Sequence, residues 1–63
     1  MEIQYRVELF IQVFRKNIPI VASNEQIELA FLETLPKYKE GHEEIFLNMV
    51  AQKLLVNLGT IVN

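Results

Sequence analysis

Ile3-Gln4-Tyr5-Arg6-Val7-Glu8-Leu9-Phe10-Ile11-Gln12-Val13-Phe14-Arg15-Lys16-Asn17-Ile18-Pro19 is the stretch on which the fold turns. Its first half alternates apolar Ile3, Tyr5, Val7 and Leu9 with polar Gln4, Arg6 and Glu8, the pattern of a half-buried strand over residues 2–14. The alternation then fails. Phe10 and Phe14 fall on the polar side, and a strand over residues 2–16 would be about three times the usual length. At 3.6 residues per turn, Ile3, Val7, Phe10, Ile11 and Phe14 instead share one face. The ending favours the helix. Arg15 and Lys16 put cations in a last turn, Asn17 suits a left-handed C′ position, Ile18 suits the hydrophobic position after it, and Pro19 cannot continue the helix. The spacing therefore predicts a helix over about 2–16.

Beyond an apolar connector, Ile18 to Ala22, Ser23 and Gln26 have the spacing of a capping box, with Glu25 in the first turn where the helix dipole favours an anion. A second helix over about 24–35 follows, turning Ile27, Ala30, Phe31 and Leu35 inward. Pro36 is expected to end it by pushing Leu35 out of the helical region. Lys37 to Gly41 reads as a polar loop, and a third helix over about 43–58 follows, with Gly59 at C′. Its core face is read as Leu47, Val50, Ala51, Leu54 and Leu58. Ile61 and Val62 in the terminal tail are apolar enough to dock on the bundle or on a partner. With no repeat or linker, residues 1–63 are read as one all-α three-helix domain. Its short connections predict antiparallel neighbours.

Each helix also carries apolar residues off its core face: Tyr5, Leu9 and Val13 in the first, Leu29 and Leu32 in the second, and Ile45, Met49 and Val56 in the third. A 63-residue chain has too little interior for both sets. A core this small rarely supplies more than about 3–5 kcal/mol, and the usual supplements are disulfides, a structural metal or oligomerisation. No cysteine is present, and the single histidine cannot supply the usual zinc ligand set, so oligomerisation remains. The eight residues are accordingly candidates for an interface core, combining an amphipathic aromatic, a methionine and branched aliphatics. The expected assembly is a homodimer or higher oligomer, with docking on a larger protein also open.

Chemistry is thinly represented. His42 is the one group that ordinarily titrates near neutrality, and it lacks the second histidine four residues on that a helical zinc motif requires. Ser23 is better explained as a helix cap than as a nucleophile. Glu25, Glu28 and Glu33 read as a solvated face, because no facing carboxylate helix completes a metal site. The two glycines, Gly41 and Gly59, both read as helix boundaries and not as a phosphate loop. The expectation is a non-enzymatic protein without catalytic, cofactor or metal residues: a regulator, inhibitor or adaptor acting by binding another protein.

The alternative is a small dimeric nucleic-acid-binding transcriptional regulator, with two helices presenting a recognition helix to a groove. A net charge of −2 and a pI near 5.2 argue against it. So does the scatter of Arg6, Arg15, Lys16, Lys37, Lys39 and Lys53, although a dimer could gather the first three. Hydrophobic residues make up 51% and charged residues 22%, which excludes disorder. Glu2 follows Met1 where a signal peptide would be basic, and no apolar run approaches a membrane span, so a soluble cytoplasmic protein is expected.

Overall fold

The computed structural model describes residues 3–60, the side chain of Ile3 excepted. The readings placed on Glu2, on the Ile3 side chain and on Ile61 and Val62 lie outside the described residues. Three helices follow in order, α1 (Ile3–Asn17), α2 (Asn24–Thr34) and α3 (Glu43–Asn57), with a 3₁₀ turn at Leu35–Lys37 and no strand among the described residues. The protein is a small all-α domain. The strand alternative for the first stretch loses because its aromatic residues Phe10 and Phe14 are needed on the same side as Val7. Both Val7 and Phe14 are buried.

The helix ends follow their local chemistry, with two departures from expectation. Ser23 Oγ accepts from the Gln26 N–H at 3.1 Å, while the Ser23 N–H donates to Gln26 Oε1 at 3.0 Å, a complete capping box. Gly59 has φ +80, its N–H donates to Val56 O, and Thr60 N–H reaches back to Leu55 O, so α3 ends in a Schellman motif. Asn17 does not take the left-handed position. It stays in α1 and its side-chain amide donates to Val13 O at 2.8 Å, satisfying a terminal carbonyl by another route. Leu35 is not displaced by Pro36 either. It keeps φ −53, ψ −40 and its N–H bonds Phe31 O, because a proline at the head of the 3₁₀ turn needs no hydrogen-bond donor.

Val7, Phe14, Ile27, Ala30, Phe31, Phe46, Val50 and Leu54 form the core. The face read for α3 was rotated. Phe46, unassigned from the sequence, is only 5% exposed and shares the Val50–Leu54 stripe, while Leu47, Ala51 and Leu58 pack at its flanks. Thr34 is the one buried polar residue among those described, and its hydroxyl donates to Ala30 O at 2.7 Å. On the connector, Ile18, Ile20 and Ala22 pack inward, and Arg15 holds the segment by donating to Ala22 O at 3.0 Å and to Asn24 Oδ1 at 2.6 Å.

The α2–α3 pair crosses steeply instead of running antiparallel. Phe31 meets Phe46 near the start of α3, whereas Glu33, two residues on, accepts from Asn57 Nδ2 at 3.0 Å and lies 4.0 Å from Lys53 Nζ. From Phe46 to Asn57 is about 16 Å along a helix axis, so most of α3 lies across the last turns of α2. Meanwhile α1 packs chiefly on α2.

Candidate functional site

One helix cannot cover both members of a crossed pair, and α1 leaves an apolar groove between itself and α3. The groove, about 580 Å³, opens to solvent. Its floor is aromatic. Phe10 from α1, Phe31 from α2 and Phe46 from α3 meet with ring centroids 4.5 Å (Phe10–Phe31), 5.8 Å (Phe10–Phe46) and 5.8 Å (Phe31–Phe46) apart, within the range of favourable ring pairs. Leu35 and Leu47 extend the floor. The lips are Leu9, 44% exposed, and Val13, 46% exposed, on α1, faced by Tyr38 from the loop before α3.

Two charged side chains sit on the rim, Arg6 from α1 and Glu43 from the first turn of α3. They do not pair with each other, since the one ion pair among the described residues is Lys53–Glu33. Glu43 is held by local donors: Tyr38 Oη donates to its Oε2 at 3.2 Å. Its carboxyl lies below the ordinary glutamate range, first because its own main-chain N–H at the helix start stabilises the anion, then because of the Tyr38 hydroxyl, with smaller help from the Gly41 N–H and His42. Tyr38 is shifted upward, first by loss of water around the phenol, then by the Glu43 charge and hydrogen bond and by the Glu40 charge. Its ring stands edge-on to Phe46 at 5.1 Å. The loop that delivers Tyr38 closes with a turn in which His42 N–H donates to Lys39 O and Gly41, at φ +86, takes the position that needs a left-handed residue.

The eight candidate interface residues fall in separate places. Leu9 and Val13 line the groove, and Tyr5, 57% exposed, continues their ridge one turn toward the start of α1. Leu29 and Leu32 are exposed on α2 and take no part in the groove. Ile45 and Met49 line a smaller crevice, of about 210 Å³, beneath Lys37, Lys39 and His42. Met49 and Val56 line another, of about 310 Å³, beside Glu33, Lys37 and Lys53, and both are half-buried rather than exposed. Tyr38, Phe10, Phe46 and Arg6 were not singled out as site residues from the sequence. Tyr38 alone left a local signal, as the one aromatic residue in the polar segment Lys37 to Gly41.

As for reactive chemistry, Ser23 is committed to its cap, and His42 is exposed at the start of α3 without a side-chain capping bond. Among the described residues no three His, Cys, Asp or Glu side chains gather as a metal site would require, and no described helix is long and apolar enough to cross a membrane. No protein family matches the chain, and neither a characterised protein nor a solved structure matches it significantly.

Proposed function

We propose that the protein is a non-enzymatic helical interaction module whose working surface is the groove between α1 and α3 with the α1 ridge beside it. It regulates or assembles by occupying, or being occupied by, another polypeptide. The observation carrying this reading is the composition of that face: an aromatic floor open to water, with Leu9, Val13 and Tyr38 on its lips. Contiguous exposed apolar surface is costly to keep in a monomer and characteristically marks an interaction site. Helices docked in such grooves use anchors at three- and four-residue spacing, the spacing already present on α1 at Tyr5, Leu9 and Val13.

The steep α2–α3 crossing has the outline of a helix-turn-helix, and this alone keeps the nucleic-acid reading in view. The outward residues of α3 do not suit it. Glu43, Glu44, Asn48 and Gln52 are exposed there, Lys53 is beside Glu33, and Arg15 is engaged with the connector. The phosphates bordering a groove would meet acids.

The test is site-directed photo-crosslinking in the cells that make the protein, with benzoylphenylalanine replacing Val13 in one strain and exposed Glu25 in another. A discrete adduct from position 13, absent from position 25, is expected. No discrete adduct at position 13, or the same set at both positions, refutes the groove as the working surface.

A further inference from the structure

We infer that the occupant of the groove is the Tyr5–Leu9–Val13 ridge of a second copy of this chain, with the two α1 helices antiparallel about a two-fold axis at Leu9. The inference rests on reading the groove as an interaction surface and names its partner. Continuity is the first argument. Leu9 and Val13 belong both to the ridge and to the groove lip, so a copy that seats its ridge in the groove offers its own groove in return. Each surface is then satisfied by the same operation, as a closed isologous contact requires. A heterologous helix would fill the groove and leave the ridge wet.

Size and charge agree with the two-fold arrangement. Residues 5, 9 and 13 are evenly spaced about Leu9, so the axis sets Leu9 against its equivalent and Tyr5 against Val13 of the other copy, a large side chain against a small one. The ridge carries no charge, and the rim carries one cation, Arg6, and one anion, Glu43, so the contacting faces are neutral although each chain bears −2. A strongly acidic or basic partner would find no match there. α1 has 15 residues; its flank and the neighbouring groove make a face of about 22 Å by 20 Å. Doubled, that is about 880 Å², below the roughly 1,200 Å² at which stable interfaces begin, so a weak dimer, micromolar at the tightest, is expected rather than a permanent one.

Sedimentation equilibrium over micromolar to millimolar concentration tests this with three chains: wild type, Leu9→Glu and Leu9→Lys. Leu9 is on the lip and not in the core, so both variants should keep the wild-type circular dichroism. Wild type should pass from 7.4 kDa to twice that mass. Each variant alone should stay at the single-chain mass, because the axis sets like charges against each other. An equimolar mixture should associate with a dissociation constant at least about tenfold lower than that of either variant alone, because the same axis then pairs Glu with Lys. A wild-type mass that never rises overturns the inference, and so does a dimer indifferent to both substitutions or a mixture no heavier than its components. Uptake of an apolar dye by a wild-type chain that stays monomeric overturns it too, by assigning the groove to a small molecule. The crosslinking experiment separates the two readings. A discrete adduct at position 13 heavier than a pair of chains ends self-occupancy but leaves the interaction module standing, whereas no adduct and no mass increase end both.

Discussion

Phe46→Ala should leave the chain largely unfolded at 25 °C, while the change one position earlier, Ile45→Ala, should be almost silent. Phe46 is 5% exposed and touches Phe10, Phe31 and Tyr38 with ring centroids 5.8, 5.8 and 5.1 Å away. Cutting a buried phenylalanine back to alanine costs about 3–5 kcal/mol through lost burial and the cavity left behind. A domain of this length is stable by roughly 3–9 kcal/mol on the usual per-residue range, and by about 3–5 kcal/mol where a small core is the only support. The loss therefore consumes most or all of the stability. Phe46→Leu, which keeps much of the volume but none of the ring contacts, should cost about 1–2 kcal/mol and stay measurable. Ile45 is 56% exposed, and its truncation should stay within about 0.5 kcal/mol. Urea unfolding followed by far-ultraviolet circular dichroism at low micromolar protein gives all three values while holding self-association constant. A folded Phe46→Ala that loses less than about 1 kcal/mol would refute this account of α3. So would an Ile45→Ala as costly as Phe46→Leu, since it would mean that α3 presents a different face to the core.

Ser23→Ala removes the hydroxyl that receives the Gln26 N–H and should lower stability by about 1 kcal/mol, read from the same urea transitions; no change would mean that α2 does not rely on its box. Gly59→Ala meets open space at the new Cβ yet should cost about 1–2 kcal/mol, because φ +80 is strained for any L side chain; a neutral Gly59→Ala would argue against the Schellman ending of α3. Because the Glu43 carboxyl is lowered in the folded chain, its contribution is present above the unfolded glutamate value and is lost as pH falls through the lowered one. Acid titration of the melting temperature should be shallower in Glu43→Gln, with Tyr38, Glu40 and His42 unchanged beside it; identical profiles would contradict the assignment. Arg15→Met should speed hydrogen exchange at the backbone amides of the Ile18 to Ala22 connector while leaving α3 unaffected, since the guanidinium bonds only the connector and Asn24.

Local chemistry was legible where one short segment decides it. Ser23 with Gln26, and Gly59 after an apolar run, mark their helix ends without help from the rest of the chain, whereas for the first stretch the failed alternation at Phe10 and Phe14 weighs against a strand and the ending at Arg15, Lys16 and Pro19 tips the reading to helix. Asn17 and Leu35 were misread for a common reason. A left-handed C′ residue and a helix broken before proline are preferences, and each yields when another donor or a 3₁₀ turn serves the same terminal groups. Phe46 was missed because α3 is apolar on nearly every side, with Ile45, Phe46, Leu47, Met49, Val50, Ala51, Leu54, Leu55 and Val56 spread around it. Periodicity cannot orient such a helix. Its orientation is set by the rings of Phe10 and Phe31, which come from other parts of the sequence. Of the candidate site, Leu9 and Val13 were visible as a stripe, but the groove they border depends on the angle between α2 and α3, for which the sequence carries no local sign.

That angle also explains why one part of the apolar surplus, Leu9 and Val13, borders a groove, while Leu29, Leu32 and Ile45 are exposed elsewhere. Had α3 lain antiparallel along α2, α1 could have bedded into the valley between them, and Phe10 would be sealed. With α3 crossing the end of α2, the wedge beside α1 stays open to solvent. Inside the chain, Val13 is too short to bridge it and Tyr38 reaches only one end, where Glu43 holds its hydroxyl. Filling the wedge from within would take larger side chains at positions 9 and 13, at little cost to the fold because both lie on the lip. Val13→Phe is thus a stringent probe. If the wedge is an unfilled core, the substitution should raise the melting temperature at every protein concentration. If the wedge is kept open for a second α1, the same substitution should stabilise the isolated chain and raise the dimer dissociation constant together, a combination that a simple packing defect would not produce.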